Sequence, residues 1–361
     1  MSFRPSVSWL LALVPIAVLL DRAAAPAPLV FLVAALAIVP LASLIVRSTE
    51  QVSTHTGPAV GGLLNATFGN LPELIICVVA LRAGLLEMVR ASLVGAILAN
   101  VLLALGVAFI LGGRRYHVMD YNPAGARAYA SMLMLAVITL AMPAAFHRFL
   151  GAPQPEVSRP LDLGVSFVLL ATYVCYLVYM IRTHPELFAS NGAEDHGAHG
   201  GTTWSAGRAV ATLVGASAGA AWMSEVLVGA AEATGHALEM SPVFLGMVLL
   251  AVIGGAAESG SAIAMGRRNK PDLAVGIAMG SSIQIALFVT PVLVLLSGVV
   301  GPAPLSLAFS RLEIGTLLVG TLIVVTTAND GRATWFKGVQ LLAVYLIIAA
   351  SVYWLPIGSP P

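Results

Sequence analysis

Charge is what this sequence lacks most. Only 10% of its 361 residues are Asp, Glu, Lys or Arg, while 58% are hydrophobic and the mean hydropathy is +0.93. A soluble domain carries roughly 25% charged residues, so this deficit indicates a polytopic membrane protein. An excess of either sign is missing too. Eighteen basic and 17 acidic residues leave a net charge of +1, with no basic block, which excludes nucleic acid as a partner. Cysteine is nearly absent: Cys77 and Cys175 fall in separate apolar segments, so no disulfide framework is expected. Histidine is missing wherever it would sit deep in a membrane. All seven histidines fall in loops or at the ends of apolar segments, leaving no imidazole for a mid-membrane base or soft-metal site.

What is present is apolar sequence in lipid-length pieces. A bilayer core of about 30 Å needs roughly 20 helical residues. Eleven segments approach that length: 7–20, 28–50, 59–84, 87–111, 127–146, 162–182, 206–232, 241–266, 272–297, 308–327 and 336–354. The first resembles a signal peptide, but it lacks a small-residue cleavage site and ten more segments follow, so it reads as a transmembrane helix. Connections are short except 183–205, which is polar and rich in Gly and His. The 18 Lys and Arg residues divide 12 to 6 between the two sides. The positive-inside rule then puts the N-terminus in the cytoplasm and the C-terminus outside, and a multi-pass protein of the cell (inner) membrane is expected.

The chain also repeats itself. GGLLNATFGNLPELII (61–76) is echoed by LLAVIGGAAESGSAIA (249–264), each with Gly-x-x-x-Glu near mid-span. Thr49-Glu50 precedes the first and Ser224-Glu225 the second; SLVGAILAN (92–100) and VGIAMGSSIQ (275–284) follow. The expected fold is therefore an all-α polytopic membrane protein of about 11 transmembrane helices. It comprises an N-terminal helix (1–27), a five-helix repeat (28–182), a cytoplasmic linker (183–205) and a second five-helix repeat (206–361). Five spans per repeat is an odd number, so the halves run in opposite directions, and inverted repeats of this kind place transporter sites between them at mid-membrane.

Two carboxylates stand out against this background. Glu73 is fifteen residues into its segment and Glu258 eighteen into its own. A charged side chain at that depth costs at least about 2.5–3.5 kcal/mol, so such residues face cavities and handle ions or protons. With no cation at mid-span to neutralise them, two facing carboxylates must take up protons or bind a cation. A site that does either but not both at once is a cation/proton exchanger. Its oxygen donors suit Ca²⁺, Mn²⁺ or Na⁺, and Ca²⁺ wants six to eight of them. Pro72 has no N–H, which frees the Phe68 carbonyl to turn toward an ion; Asn70 adds an amide. Gly254 and Gly255 allow unwinding in the second half. Asn100, Ser281, Ser282 and Gln284 are candidates to complete or line the site. Glu50 and Glu225 are candidate gate or proton-pathway residues at opposite ends of the membrane, whereas Glu232 reads as a solvated charge.

At this point the residues resemble a known family. GGLLNATFGNLPELII and GGAAESGSAIAMGRRNKPDLAVGIAMGSSIQIALFVTPVLVLLS (254–297) are similar to the signature repeats of cation/proton exchangers, a branch of the calcium/cation antiporter superfamily. The resemblance implies Ca²⁺ or a related cation exchanged for protons, with Glu73 and Glu258 binding the cation and Glu50 and Glu225 on the access pathways. Gly255 and Ser259 stand where the family usually has Asn and His, Ala96 and Ala99 where it has serines, and Leu71-Pro72 interrupt the first repeat. No cofactor is expected beyond the transported ions. The expected partners are the bilayer, cations and protons, with a homo-oligomer left open. The rival readings are an exchanger driven by Na⁺, a monovalent cation/proton exchanger, a passive channel, and an intramembrane hydrolase hinted at only by GASAG (215–219). EDHGAH (194–199) reads as a polar linker.

Overall fold

A computed structural model of the chain describes residues 7–56, 61, 63–64, 67–149, 155–188 and 204–355. Among these, eight helices are long and apolar enough to cross a membrane, or nine when one bent pair is taken as a single span. Each coincides with an expected segment. The remaining two expected spans are shorter or interrupted. Residues Val7–Ala12 form a 3₁₀ run that leads into α1 (Leu13–Arg22); at about 2.0 and 1.5 Å per residue the pair reaches roughly 27 Å. The other ends in α3 (Leu71–Arg82), with helical residues at 61, 63–64 and 67–68 before it.

Around these run α2 (Ala27–Thr56), then α4 (Leu86–Leu98), which passes through a π turn at Ala99–Ala104 into α5 (Leu105–Tyr116). Next come α6 (Pro123–Phe149), α7 (Pro155–Val178) and the short α8 (Pro185–Phe188). The second half opens with α9 (Ala206–Ala237). A broken span follows, made of α10 (Pro242–Phe244), a π turn at Leu245–Leu250, α11 (Ala251–Gly254) and α12 (Ala256–Arg267). Then α13 (Pro271–Gln284) passes through a π turn at Ile285–Val289 into α14 (Thr290–Val300), and α15 (Arg311–Ala328) and α16 (Trp335–Tyr353) close the chain. Helix starts are written locally. Ser205, Ser241, Ser310 and Thr334 each accept a hydrogen bond from the backbone N–H three residues on, and Ser310 with Glu313 completes a capping box.

The helical fold carries one small β-ribbon among the described residues. Strand β1 (Val118–Asp120) pairs antiparallel with β2 (Arg332–Thr334), Met119 opposite Ala333. Two three-residue strands more than 200 residues apart carry no local signal, because their pairing is decided only when the helices bring the loops together. The ribbon also tests the threading. Six spans separate β1 from β2, an even number, as strands on one side of a membrane require. His55 Nε2 likewise meets Trp204 O at 2.8 Å, joining the end of α2 to the residues just before α9.

The buried apolar side chains form two clusters. One gathers α1, α2 and α9 around Ile38, Ile45, Met223 and Leu227, and borrows Ile76, Met88, Leu245 and Leu250. The other holds the remaining helices around Phe109, Leu133, Leu102 and Leu105. Leucines such as Leu32 on α2, Leu322 on α15 and Leu346 on α16 point outward, as lipid-facing positions do. The two halves meet through glycine. A Cβ at Gly95 of α4 would lie 2.0 Å from Met247 O, and one at Gly246 would lie 2.4 Å from Met88 O. Only residues without side chains permit this backbone-to-backbone crossing.

Candidate cation site

Both repeat glutamates sit on half-helices that begin inside the protein. The first span breaks at Asn70 (φ −93°, ψ 25°), and α3 restarts with Pro72 at its second position and Glu73 at its third. In the second half the chain bends by 61° at Gly255 (φ −79°, ψ 11°), and α12 restarts with Glu258 at its third position. The two breaks have nearly the same backbone geometry and present a carboxylate at the same place. Each glutamate thus lies in the first turn of a helix, where free N–H groups and the macrodipole favour negative charge. Proline serves the first restart because the second helical position needs no N–H donor.

The carboxylates come together at the glycines. Glu73 is 5% exposed and Glu258 8%. A Cβ at Gly254 would lie 3.1 Å from Glu73 Cγ, and one at Gly255 would lie 3.6 Å from Glu73 Oε1. The Glu73 side chain therefore packs against the break that leads to Glu258. All four carboxylate oxygens are buried without a hydrogen-bond partner, as is Asn100 Nδ2. Buried polar atoms normally find partners, so five orphans in one place mark a site for something that supplies charge and hydrogen bonds. Among the described residues no three His, Cys, Asp or Glu side chains cluster as a metal site.

The polar residues expected around the glutamates divide into three groups. Asn70, Ser281 and Gln284 bond to one another: Ser281 Oγ donates to Asn70 Oδ1 at 2.7 Å, and Asn70 Nδ2 donates to Gln284 Oε1. They tie the first break to α13. Asn100 lies in the π turn after α4, and its Oδ1 accepts from Ser259 Oγ at 3.5 Å. Ser282 is turned inward instead, donating to Ala278 O at 2.8 Å and to Ile97 O at 3.3 Å. Phe68 is half-buried at the end of the helical turn before the break. Ser259 and Gly255 were not among the expected site residues. Aligning the two repeats on their glutamates would have found Gly255, because it falls at the position of Asn70.

The second acidic pair is outside this cluster. Glu50 is exposed near the end of α2. Glu225, on α9, is 59% exposed and lies 3.8 Å from Arg82 at the end of α3. Glu232 is exposed. In GASAG, Ser217 lies inside α9 with an unpartnered hydroxyl, and among the described residues no histidine meets it. GIAMG packs beneath the Tyr129 ring, whose hydroxyl lies 3.4 Å from where a Cβ at Gly276 would be. EDHGAH lies outside the described residues.

The family model of sodium/calcium exchanger proteins matches twice, over residues 26–182 and 208–354. The chain belongs to that family. It is 37% identical over 345 residues to a Ca(2+)/H(+) antiporter of Synechocystis sp., covering 91% of each chain. It is also 37% identical over 343 residues to the Ca(2+)/H(+) antiporter ChaA of Bacillus subtilis, covering 95% of this chain and 97% of that one. The solved structure of native YfkE superposes with a TM-score of 0.83 at 34% identity, over 97% of this chain and 100% of that one. The likeness to cation/proton exchangers read from the two repeats thus extends over the whole chain, which is a multi-pass integral membrane protein.

Proposed function

We propose that this protein is a secondary antiporter that exchanges Ca²⁺, or a related divalent cation, for H⁺ by alternating access. The observation that carries the reading is the pair of half-helices with Glu73 and Glu258 at matching positions, four carboxylate oxygens buried without protein partners. Two adjacent carboxylates in a low-dielectric site cannot both stay ionised without compensation. Either a divalent cation or protons restore neutrality, and one displaces the other. That competition couples the fluxes. The relatives named Ca(2+)/H(+) antiporter support the same choice of ions. No cofactor enters the cycle.

In this scheme Glu73, Glu258 and the Phe68 carbonyl bind the cation, with Asn100 lining the site. Asn70, Ser281 and Gln284 brace Glu73, and Ser282 secures α13 against α4. The body of α1, α2 and α9 has its own apolar core and moves against the rest. Glu50 and Glu225, exposed on the two long helices of that body, attract ions to the two entrances. The Arg82–Glu225 contact is solvent-exposed, worth no more than about 1 kcal/mol, and so is easily broken and remade. The chain lies in the cell membrane with its N-terminus in the cytoplasm and its C-terminus outside.

Proteoliposomes test the proposal. Ca²⁺ uptake should follow an imposed pH gradient with no Na⁺ present, and Glu73→Gln or Glu258→Gln should abolish it. Flux driven only by a Na⁺ gradient would replace the proton with Na⁺ in the cycle. Uptake that neither saturates nor moves protons would point to a channel.

A further inference from the structure

The two breaks match in backbone but not in side chain. At the first, the Asn70 amide reaches across to Ser281 and Gln284. At the second, Gly255 has nothing to reach with. Backbone conformation does not explain the glycine, since φ −79° and ψ 11° are open to any L-residue. Crowding does not explain it either: the nearest atoms to an added Cβ would be Ala251 O at 3.3 Å, Asn100 Oδ1 at 3.5 Å and Glu73 Oε1 at 3.6 Å. The contacts are snug but tolerable, unlike the 2.0 Å overlap at Gly95. All three are oxygens, and one belongs to the cation-binding carboxylate. A side chain at 255 would project into the site, and glycine keeps that corner open.

We propose that the corner beside Gly255 seats a water that serves as a cation ligand, so that Gly255 sets how much hydration shell the transported cation keeps. This rests on the antiporter reading and refines its substrate selectivity. The chemistry of the corner suits water. The Asn100 amide borders the corner through Oδ1, and its Nδ2 is a buried donor in need of an acceptor; Glu73 Oε1, also at the corner, is a buried acceptor in need of a donor. A single water serves both, and a buried water requires two to four such partners. Its remaining lone pair faces the cation. Ca²⁺ takes six to eight oxygens, more than two carboxylates provide, so a water ligand fits its coordination. Mg²⁺ sheds its waters reluctantly, and a site with a water ligand admits it where a site lined wholly by protein oxygens would not.

The test compares Gly255→Ala, which fills the corner with a methyl group, with Gly255→Asn, which supplies an amide oxygen as Asn70 does in the first half. Both are made in the full-length protein in proteoliposomes, with thermal unfolding checked alongside. The readouts are the KM for Ca²⁺ uptake and the Mg²⁺ concentration that halves it. The wild type should be inhibited by Mg²⁺. Gly255→Asn should keep the Ca²⁺ KM within about threefold while weakening Mg²⁺ inhibition at least about tenfold. Gly255→Ala should raise the Ca²⁺ KM about five- to tenfold, because a ligand is lost and nothing replaces it. Equal impairment of both variants would make Gly255 a purely steric residue and overturn the inference, as would unchanged Mg²⁺ inhibition in Gly255→Asn. A wild type that moves Ca²⁺ normally separates these failures from failure of the antiporter reading. A wild type that moves none sinks both.

Discussion

Asn70→Ala is the most informative substitution. It removes two hydrogen bonds that join the first break to α13, one to Ser281 and one to Gln284. Each is worth about 0.5–1.5 kcal/mol net, so the brace is worth about 1–3 kcal/mol. The lower half of that range applies if its partners recover, and both can. Ser281 lies on a helix and can donate to the carbonyl four residues back, and Gln284 is only half-buried. If the brace orients Glu73 for the cation, the loss appears in the KM for Ca²⁺. At about 1.4 kcal/mol per decade, the lower half of the range amounts to roughly a 5- to 30-fold increase. If the brace only holds the fold, the loss appears as a lowered melting temperature and KM stays put. The assay is Ca²⁺ uptake by proteoliposomes against a fixed pH gradient, with thermal unfolding of the same preparations. Ser281→Ala removes one of the two bonds and should give about half the effect. Because the two residues share a bond, the double variant should cost less than the sum of the singles. A KM within twofold of wild type in a folded Asn70→Ala protein would refute the argument that this network positions Glu73.

Three other substitutions probe the scaffold. Gly95→Ala drives a methyl group to within 2.0 Å of Met247 O, a backbone atom that cannot step aside. The cost should exceed the 1–3 kcal/mol or so of ordinary overpacking, and the readout is loss of monodisperse protein on size-exclusion chromatography. Trp204 is held through its backbone by Gln51 and His55, and through its ring by Arg47 and Arg208, at 5.1 and 4.9 Å from the centroid. Trp204→Ala removes only the ring contacts, at about 0.5–1 kcal/mol each, and Trp204→Phe should recover much of the melting temperature. His147→Leu strips a buried partner from Asp162, whose carboxylate lies 3.1 Å from the imidazole. It should destabilise the protein by about 1–3 kcal/mol, and the added variant Asp162→Leu should restore part of that loss.

The membrane architecture was legible because lipid imposes a length rule on one dimension of sequence. Nine of the expected spans coincide with helices or a bent helix pair of membrane length among the described residues, whereas 7–20 reaches its length partly as a 3₁₀ run and 59–84 is described only in part. The glutamates were legible for the same reason: a carboxylate in the middle of an apolar run is costly wherever the run goes. Pro72 and Gly254-Gly255 marked the breaks, since proline lacks a donor and glycine unwinds readily.

Sequence spacing alone could not assign partners. Asn70 was expected to face the cation as an amide ligand, yet its side chain bonds to residues 211 and 214 positions away. Ser281 and Ser282 are neighbours in sequence and face opposite ways, because successive helical residues point about 100° apart. The ribbon of β1 and β2 was invisible for a similar reason: its pairing energy exists only between loops that the helices deliver.

What the sequence by itself determined is the set of membrane-length segments, the pair of buried glutamates, the breaks that present them and the internal repeat. The segments and the glutamates follow from the cost of moving polar groups into lipid, which can be read one segment at a time; the breaks follow from proline and glycine backbone chemistry, and the repeat from the echoed motifs. What only the tertiary structure decided is which polar groups meet. It put Glu73 against Gly254, tied Asn70 to α13, left Asn100 Nδ2 without a protein partner and opened Gly255 onto the site. Hydrogen bonds act over about 3 Å, so these outcomes depend on how the halves cross at Gly95 and Gly246 and on nothing local to the residues themselves.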